Sequence, residues 1–212
     1  SGVMSWILKF ADDTKIYRRI GGGDDRQQLQ RDLDRLISWS MEWQMLFNDK
    51  KCKTMHIGDG SQHVYKMGNH DIENIVVERD LGVMLSSDMK MLSHCNFAYA
   101  KANRMLGLLK RTIRYRRTDI MVCLYKALVR PHLEYCSSVW SPYYKKDREL
   151  LERVQHRFTK MFSGIKDKSY EERLKELRLW SLEERRNRAD MIETFKLVKG
   201  LSGVRYKDFF LN

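Results

Sequence analysis

The segment VMSWILKFADDTKIYRRI, residues 3–20, carries the clearest structural signal near the start of the chain. An apolar run at 3–10 and a β-branched, aromatic run at 14–20 flank the tripeptide Ala-Asp-Asp. Two such runs around a tight polar turn are typical of a β-hairpin. The sequence therefore predicts two antiparallel strands with Asp12 and Asp13 at their turn.

A long amphipathic helix is predicted immediately after this hairpin. Three glycines at 21–23 interrupt the strand pattern, and Asp24 and Asp25 follow as candidate N-caps. From residue 26 to residue 47, leucine, isoleucine and tryptophan recur at helical spacing. We expect the apolar stripe of this helix to pack on a sheet.

Further β-structure is predicted as far as residue 85. The segment 52–57 indicates a strand, 58–62 a turn, and 80–85 a closing strand. Between them, 64–67 and 72–77 suit a second hairpin with turn chemistry at Gly68-Asn69.

The remainder of the chain reads as helical. Helices are predicted at 93–112, from Thr118 to residue 130, and at 145–162. Two further helices are indicated by the capping-box pairs Ser169 with Glu172 and Ser181 with Glu184. The predicted fold class is α+β up to about residue 88, followed by an all-α region.

Length and composition bound the class of protein. The 212 residues, 42% apolar and 32% charged, are enough for one large domain or two small ones with a real core. Uncharged apolar runs fall far short of the roughly 18 residues that a membrane span requires, so no membrane partner is expected. The chain begins with Ser1 rather than Met, and we expect it to be a piece of a longer polypeptide.

Positive charge is concentrated in one part of the chain. The net charge of +12 divides into −1 over residues 1–100, +10 over 101–160 and +3 over 161–212. A concentrated basic surface attracts polyanions, and phosphate backbones first among them. A solvated helix face would give the same charge count.

The four cysteines form no metal-ligand or disulfide pattern. Cys52, Cys95, Cys123 and Cys136 include no CxxC pair, and the His132–Cys136 spacing lacks a second ligand pair. We therefore expect packing roles and a reduced, intracellular setting, either nuclear or cytoplasmic or both.

Asp12 and Asp13 are the residues with the most suggestive chemistry. Adjacent carboxylates on a rigid turn suit Mg²⁺, which prefers oxygen ligands, and paired metal ions can promote phosphoryl transfer. A simple polar turn is the alternative, because Asp is also a favoured turn residue.

The string ILKFADDTKI resembles the active-site hairpin of reverse transcriptases, and in particular that of non-LTR (LINE-type, CR1/Jockey-like) retrotransposons. Further segments resemble later parts of the same family in the same order, and together they cover nearly the whole chain. These segments are MEWQMLFNDKKCKTMHIG, DLGVMLSSDMKMLSHC, LYKALVRPHLEYCSSVWSP, LERVQHRFTKMF and SYEERLKELRLWSLEERRNRADMIETFKLVKG.

The resemblance implies a partial polymerase palm over residues 1–88, a basic helical thumb over 89–163 and a C-terminal helical extension over 164–212. Asp12 and Asp13 would be catalytic carboxylates that bind Mg²⁺ or Mn²⁺ in the complete polymerase, Asp12 being the more direct ligand. Phe10 would pack near the primer end, and the small Ala11 would leave room for it.

The resemblance also implies contacts with nucleotide, primer and duplex. Lys51 or Lys53 would lie near the phosphates of the incoming nucleotide, and Leu81 and Gly82 in the strand 81–85 would lie near the primer. The thumb would bind the RNA template and the RNA/DNA or DNA duplex, and the same region carries the independent charge excess. Its candidate contacts are Arg104, Lys110, Arg111, Arg114, Arg116, Arg117 and Lys126.

The family's polymerases also use an earlier acidic strand and a fingers region, both expected upstream of Ser1. We therefore expect no polymerase activity from this chain alone. Apolar residues of the hairpin, Trp6, Ile7 and Leu8, are expected to be partly exposed and to be covered by that upstream segment or by a protein partner.

Two other functions are compatible with the sequence. The chain could be a catalytically inactive, retrotransposon-derived module that binds nucleic acid or protein. A pure protein-interaction domain would depend on Trp39, Trp43, Trp140 and Trp180, although aromatic residues at helical spacing usually belong to a core.

Overall fold

The structure is a computed structural model that describes residues 2–58, 63–115 and 117–203. The chain divides into two compact units, one formed by Ser1–Glu78 with Ser87–Met89 and the other by Arg79–Ser86 with Lys90–Asn212. The first unit combines short strands with one long helix, and the second is mainly helical. The fold class is therefore α+β, as predicted. The polymerase boundaries at 88 and 163 remain predictions.

The hairpin at the start of the chain is present. Strands β1 (Trp6–Phe10) and β2 (Asp13–Tyr17) pair antiparallel, with Phe10 opposite Asp13. Ala11 and Asp12 are thus the two turn residues, and Ala11 has a φ of 52°. A positive φ at the first turn position matches the right-handed twist of the flanking strands.

The first helix is displaced from its predicted bounds. α1 spans Gly23–Glu42, so it begins before residue 26 and ends before residue 47. Asp24 and Asp25 lie in its first turn and do not act as N-caps. Trp43 is the C-cap of the helix, and Gln44 follows with a left-handed φ of 56°. The residues after Gln44 are therefore not helical, although their apolar spacing predicted a helix up to residue 47.

Asp32 joins α1 to the entrance of β1. Its carboxylate accepts hydrogen bonds from the Ser5 hydroxyl at 2.7 Å and the Ser5 backbone N–H at 2.8 Å. The Met4 N–H and the Gln28 amide also donate to it. Burial raises the pKa of Asp32, but these hydrogen bonds outweigh burial and leave the pKa below its ordinary value.

The short strands of the first unit pair differently from the prediction. A 3₁₀ turn at Asp49–Lys51 precedes β3 (Lys53–Thr54), which is much shorter than the predicted strand 52–57. The second hairpin is tighter than predicted, with β4 (Lys66–Met67) and β5 (His70–Asp71) around Gly68-Asn69.

The segment predicted as the second arm of that hairpin pairs elsewhere. The predicted pairing with 64–67 holds at Ile72, whose N–H donates to the Tyr65 carbonyl at 2.8 Å. Beyond it the prediction was wrong, because β6 (Glu73–Asn74) runs parallel to β3. Leu33, Tyr65, Met67 and Ile72 form the buried apolar core of this unit. Of the predicted turn 58–62, residues 59–62 lie outside the described residues.

The predicted strand 80–85 is in fact a hairpin. β7 (Val77–Asp80) and β8 (Val83–Ser86) are paired strands on either side of Leu81 and Gly82. Both turn residues have left-handed backbones, with φ values of 44° and 90°. The glycine therefore marks a reversal of the chain and not a strand interior.

The second unit begins with α2 and continues as a series of helices. α2 spans Leu92–Thr112, close to the predicted 93–112. The others are α3 (Thr118–Leu124), α4 (Pro131–Glu134), α5 (Ser137–Trp140), α6 (Lys145–Thr159), α7 (Tyr170–Glu176) and α8 (Leu182–Val198).

A π-helical turn interrupts the helix that was predicted from Thr118 to residue 130. It covers Tyr125–Val129, and the N–H of Arg130 donates to the carbonyl of Tyr125 at 2.9 Å. Pro131, which has no N–H to donate, opens α4 directly afterwards. Thr118 is the first helical residue and Arg117 holds the N-cap position, so Thr118 is not the cap.

The core of the second unit is built around α2 and α6. Tyr125 and Phe158 stack at 4.2 Å, and both are fully buried. The buried amide of Gln155 accepts from the Tyr125 hydroxyl at 2.8 Å and donates to the Trp180 carbonyl at 2.9 Å. These hydrogen bonds satisfy polar groups that would otherwise be costly to bury.

Both predicted capping boxes are confirmed. The side chains of Ser169 and Ser181 accept from the backbone N–H groups of Glu172 and Glu184, and the carboxylate of each glutamate accepts from the backbone N–H of its serine. Across residues 2–58, 63–115 and 117–203, no helix combines the length and apolarity needed to cross a membrane.

Candidate functional site

The Asp-Asp turn presents both carboxylates to solvent. Asp12 is the second turn residue, and Asp13 opens β2 opposite Phe10. Within the described part of the chain, neither side chain takes part in a hydrogen bond or an ion pair. Their position at the end of a tight hairpin makes them available to a ligand.

Asp12 and Asp13 have the oxygen chemistry that part of a divalent-cation site requires. Mg²⁺ is commonly held by one or two carboxylates together with water and substrate phosphates, and the two side chains fit that role. Among the described residues, no group of three or more His, Cys, Asp or Glu side chains could hold a metal ion. The remaining oxygen ligands would have to come from a substrate or from another segment.

One face of the hairpin is apolar and exposed. Because alternate residues of a strand share a face, Trp6, Leu8 and Phe10 lie together, and their exposed fractions are 71%, 55% and 63%. Ile7 points to the opposite face and is half-buried. Trp6 and Leu8 are therefore more exposed than Ile7, and all three side chains are at least partly exposed, as predicted. Ala11 follows Phe10 and has only a methyl group as its side chain, so it adds little bulk next to this face.

The two lysines after α1 differ in their contacts. Lys53 donates from Nζ to a Glu78 carboxylate oxygen at 2.7 Å, and this hydrogen bond raises the pKa of Lys53. Lys51 ends the 3₁₀ turn, is exposed and has no such partner among the described residues. Lys51 is thus the more available of the two for a phosphate group.

Leu81 and Gly82 form the tip of the β7–β8 hairpin. The Tyr135 hydroxyl donates to the Leu81 carbonyl at 3.1 Å. A Cβ at Gly82 would lie 3.0 Å from the Tyr135 ring, so a larger residue there would displace this aromatic contact. The tip is consequently held against the segment that follows α4.

The basic residues singled out from the sequence fall into different environments. Arg104 and Arg111 project from one exposed face of α2, because seven residues make about two helical turns. Lys110 is exposed on another side of the same helix, and Arg114 is exposed just beyond it.

The other predicted contacts are less clearly placed for nucleic acid. Arg117 forms an ion pair with Asp119 at 2.7 Å, and Lys126 is half-buried in the π-helical turn. Arg116 lies outside the described residues.

The exposed face of α6 is a basic surface that sequence reasoning missed. Lys146, Arg153 and Lys160 are exposed and recur every seven residues, which places them along one face of the helix. Arg157 joins this face to α2, since its guanidinium donates to the Asn103 side chain at 3.0 Å and lies over the Tyr99 ring. The seven-residue recurrence was the signal that could have revealed this face.

The cysteines occupy separate environments, and all four are free. Cys95 is fully buried, and burial raises the pKa of its thiol to about 12. Cys123 and Cys136 are exposed. His132 and Cys136 belong to no metal-binding group within the described residues.

Only one of the four singled-out tryptophans is a core residue. Trp140 is fully buried, whereas Trp39, Trp43 and Trp180 are 37%, 63% and 51% exposed. The expectation of core packing was wrong for these three: Trp39 lies on an exposed side of α1, Trp43 follows the end of α1, and Trp180 lies between α7 and α8.

Comparison of the chain with protein-family models, curated proteins and solved structures gave no match.

Proposed function

We propose that this chain is the C-terminal palm and thumb portion of an RNA-directed DNA polymerase from a non-LTR retrotransposon. Its role would be to bind template–primer nucleic acid and to supply the Asp-Asp carboxylates for nucleotidyl transfer. The observation that carries the proposal is the tight hairpin formed by the aromatic-Ala-Asp-Asp segment, with Asp12 and Asp13 exposed at its tip.

The basic helices of the second unit support the nucleic-acid part of the proposal. Arg104 and Arg111 on α2 and the lysine and arginine row on α6 are exposed cations on neighbouring helices. Such cations attract a phosphate backbone regardless of its base sequence. We expect duplex binding with a strong dependence on salt concentration.

The metal chemistry would be shared with another part of the polymerase. Asp12 and Asp13 would hold Mg²⁺ or Mn²⁺, which supplies charge neutralisation for phosphoryl transfer when it is bound. A third carboxylate and the fingers would come from a segment preceding this one in a longer protein. The chain alone is then expected to bind nucleic acid without extending a primer.

Duplex binding tests the second unit. Affinity for a labelled RNA/DNA duplex is measured over a range of salt concentrations for the 212-residue chain and for the variants R104Q/R111Q and R153Q/K160Q. Each pair that contacts phosphates should weaken binding about tenfold and reduce the salt slope by roughly one to two.

The matched control is K175Q/R178Q, which removes the same charge from exposed positions around the end of α7. It should leave both affinity and salt slope unchanged. Absence of duplex binding at low salt, or binding without a salt slope, would contradict the proposed nucleic-acid role.

Primer extension on an RNA template tests the catalytic part. The chain alone should give no product with Mg²⁺ or Mn²⁺, whereas a longer protein that includes the upstream segment should be active. In that longer protein, Asp12→Asn and Asp13→Asn should abolish extension and preserve duplex affinity. Undiminished primer extension by both variants would contradict the assignment of Asp12 and Asp13 as catalytic residues.

A catalytically inactive binding module is the second candidate function. It is favoured by one observation, the basic faces of α2 and α6, which do not require the Asp-Asp turn to bind a polyanion. Salt-dependent duplex binding together with an inactive longer protein would select this function.

A further inference from the structure

A cavity of about 390 Å³ lies within the second unit. Its walls come from the β7–β8 hairpin, from α2 and from the region of α4. Leu81 and Gly82 form one edge, and Tyr135 closes the space beside them. A concave site of this volume is large enough for a small ligand.

Two cations of this cavity share one aromatic ring. The Arg79 guanidinium lies 5.4 Å from the centre of the Phe97 ring, and the Lys101 ammonium lies 5.1 Å from the same centre. Neither cation pairs with a carboxylate among the described residues, and Asp80 is not part of the cavity wall. Both cations therefore line the cavity beside one aromatic ring, where an anion would be attracted by two positive charges.

His94 adds a directed hydrogen-bond donor to the same wall. Only 3% of its surface is exposed, and the centre of its ring lies 4.3 Å from that of Trp140. The Met84 backbone N–H donates to Nδ1 at 3.1 Å, so Nδ1 carries no proton and Nε2–H is the donor.

The neutral form of His94 is favoured by its surroundings. Burial lowers the pKa of His94 to about 4, which keeps the ring uncharged at neutral pH. No described residue accepts a hydrogen bond from Nε2–H. His94 lines the cavity, so this donor is available to a ligand bound there.

We propose that this cavity is a phosphate-binding site, in which Arg79 and Lys101 supply the positive charge and the Nε2–H of His94 donates a hydrogen bond. His132, half-buried beside Lys101, completes the polar wall. Guanidinium and ammonium groups are the usual protein partners of phosphate oxygens. The phosphate belongs either to a free mononucleotide or to a nucleic-acid strand.

Titration with inorganic phosphate and with AMP tests the site. The 212-residue chain is compared with R79Q/K101Q by calorimetry, after thermal unfolding has shown that both are folded. AMP should bind saturably, and the double variant should bind it about tenfold more weakly. The charge-matched control K175Q/R178Q should retain the affinity of the unmodified chain.

A duplex competition separates the two sources of phosphate. If saturating AMP weakens duplex binding, the cavity takes a strand phosphate; if duplex affinity is unchanged, a mononucleotide is the ligand. Either result supports the site, provided that R79Q/K101Q has lost AMP binding. Equal AMP affinity in R79Q/K101Q and the control, or no saturable binding at all, would overturn it.

The titration is independent of the proposed polymerase function. AMP binding requires neither Asp12 and Asp13 nor the exposed faces of α2 and α6. A chain that fails to bind duplex but binds AMP through Arg79 and Lys101 would contradict the polymerase role and retain the phosphate site.

Discussion

The two units bury very different amounts of apolar surface. Among the described residues, the second unit has one core of nineteen buried apolar side chains, whereas the core of the first unit has four. The first unit instead leaves Trp6, Leu8 and Phe10 exposed on its hairpin and Trp43 exposed after α1. Stability is therefore expected to be concentrated in the helical unit.

The units also differ in how their backbone groups are satisfied. The first unit contains separate two-stranded sheets, and the β3–β6 and β4–β5 ladders are only two residues long on each strand. The second unit satisfies its backbone mainly within helices, which need no partner strand. Isolated two-stranded sheets are marginally stable in water, so the first unit depends more on polar contacts such as those of Asp32.

The largest expected effect comes from truncating the core of the second unit. Phe158→Ala should lower the free energy of unfolding by about 3–5 kcal/mol, because a fully buried ring is lost from its stack on Tyr125. Leu33→Ala in the first unit should cost about 2 kcal/mol. Urea unfolding followed by circular dichroism measures both, and equal costs would contradict the contrast between the units.

The next effect is a pH dependence that belongs to the second unit. The folded pKa of His94 is about 4 against an ordinary value of 6.5, so the unfolded chain binds this proton more tightly. The stability contribution is complete above pH 6.5 and falls as the pH drops from 6.5 to 4, by about 3 kcal/mol in all.

His94→Gln isolates this contribution, because glutamine can accept the Met84 N–H and does not titrate. Unfolding free energies of both chains are measured across the same pH range. His132 and His156, whose pKa values burial also lowers, affect both chains equally. Parallel pH profiles for the two chains would contradict the role assigned to His94.

A smaller effect is expected from the polar contacts of the first unit. Asp32→Ala removes the acceptor shared by Ser5, Met4 and Gln28 and should destabilise this unit by about 2 kcal/mol. Hydrogen exchange of the β1 and α1 amides should accelerate, while α2 and α6 remain protected.

The lowered pKa of Asp32 also makes its contribution to the stability of the first unit depend on pH. Its contribution is present above the ordinary pKa of 3.8 and is lost as the pH falls through the lower folded value. Asp34→Ala, at an exposed position on the same helix, is the control and should leave the β1 amides unaffected. Equal exchange rates of the β1 amides in the two variants would contradict the proposal that Asp32 connects α1 to β1.

The smallest predicted effect is at a helix cap of the second unit. Ser181→Ala removes one half of the capping box of α8 and should cost about 1 kcal/mol. Ser163→Ala, at an exposed turn position, should change the melting temperature very little. Thermal unfolding compares the two, and a larger loss from Ser163→Ala would show that the cap is unimportant.

Local sequence signals predicted the elements that local chemistry determines. The Ala-Asp-Asp hairpin, α2 and both capping boxes depend on residues close together in the chain, and each was found. Pairing between distant short strands was not predictable in the same way. β6 pairs with β3 and not with β4. The sequence could not indicate this pairing, because strands of two residues are too short to show an alternating apolar pattern.

The candidate sites divide along the same line. Asp12 and Asp13 were found because they are adjacent in sequence and share one turn. His94 and Lys101 share a face of α2, but Arg79 joins them only through the packing of a hairpin against α2, which no spacing in the sequence reports. The α6 row was visible as a seven-residue recurrence, but mixed charges such as Glu149 obscured it.

Ala11 bears the backbone strain of the Asp-Asp turn, while the side chains of Asp12 and Asp13 form no hydrogen bond or ion pair with the described residues. Substitutions of Asp12 and Asp13 should therefore change chemistry at the tip without altering the scaffold beneath it. Position 11 behaves oppositely: glycine would relax the left-handed backbone, whereas valine would strain it. The acidic chemistry at positions 12 and 13 and the backbone conformation at position 11 can therefore evolve separately, although three consecutive codons encode them.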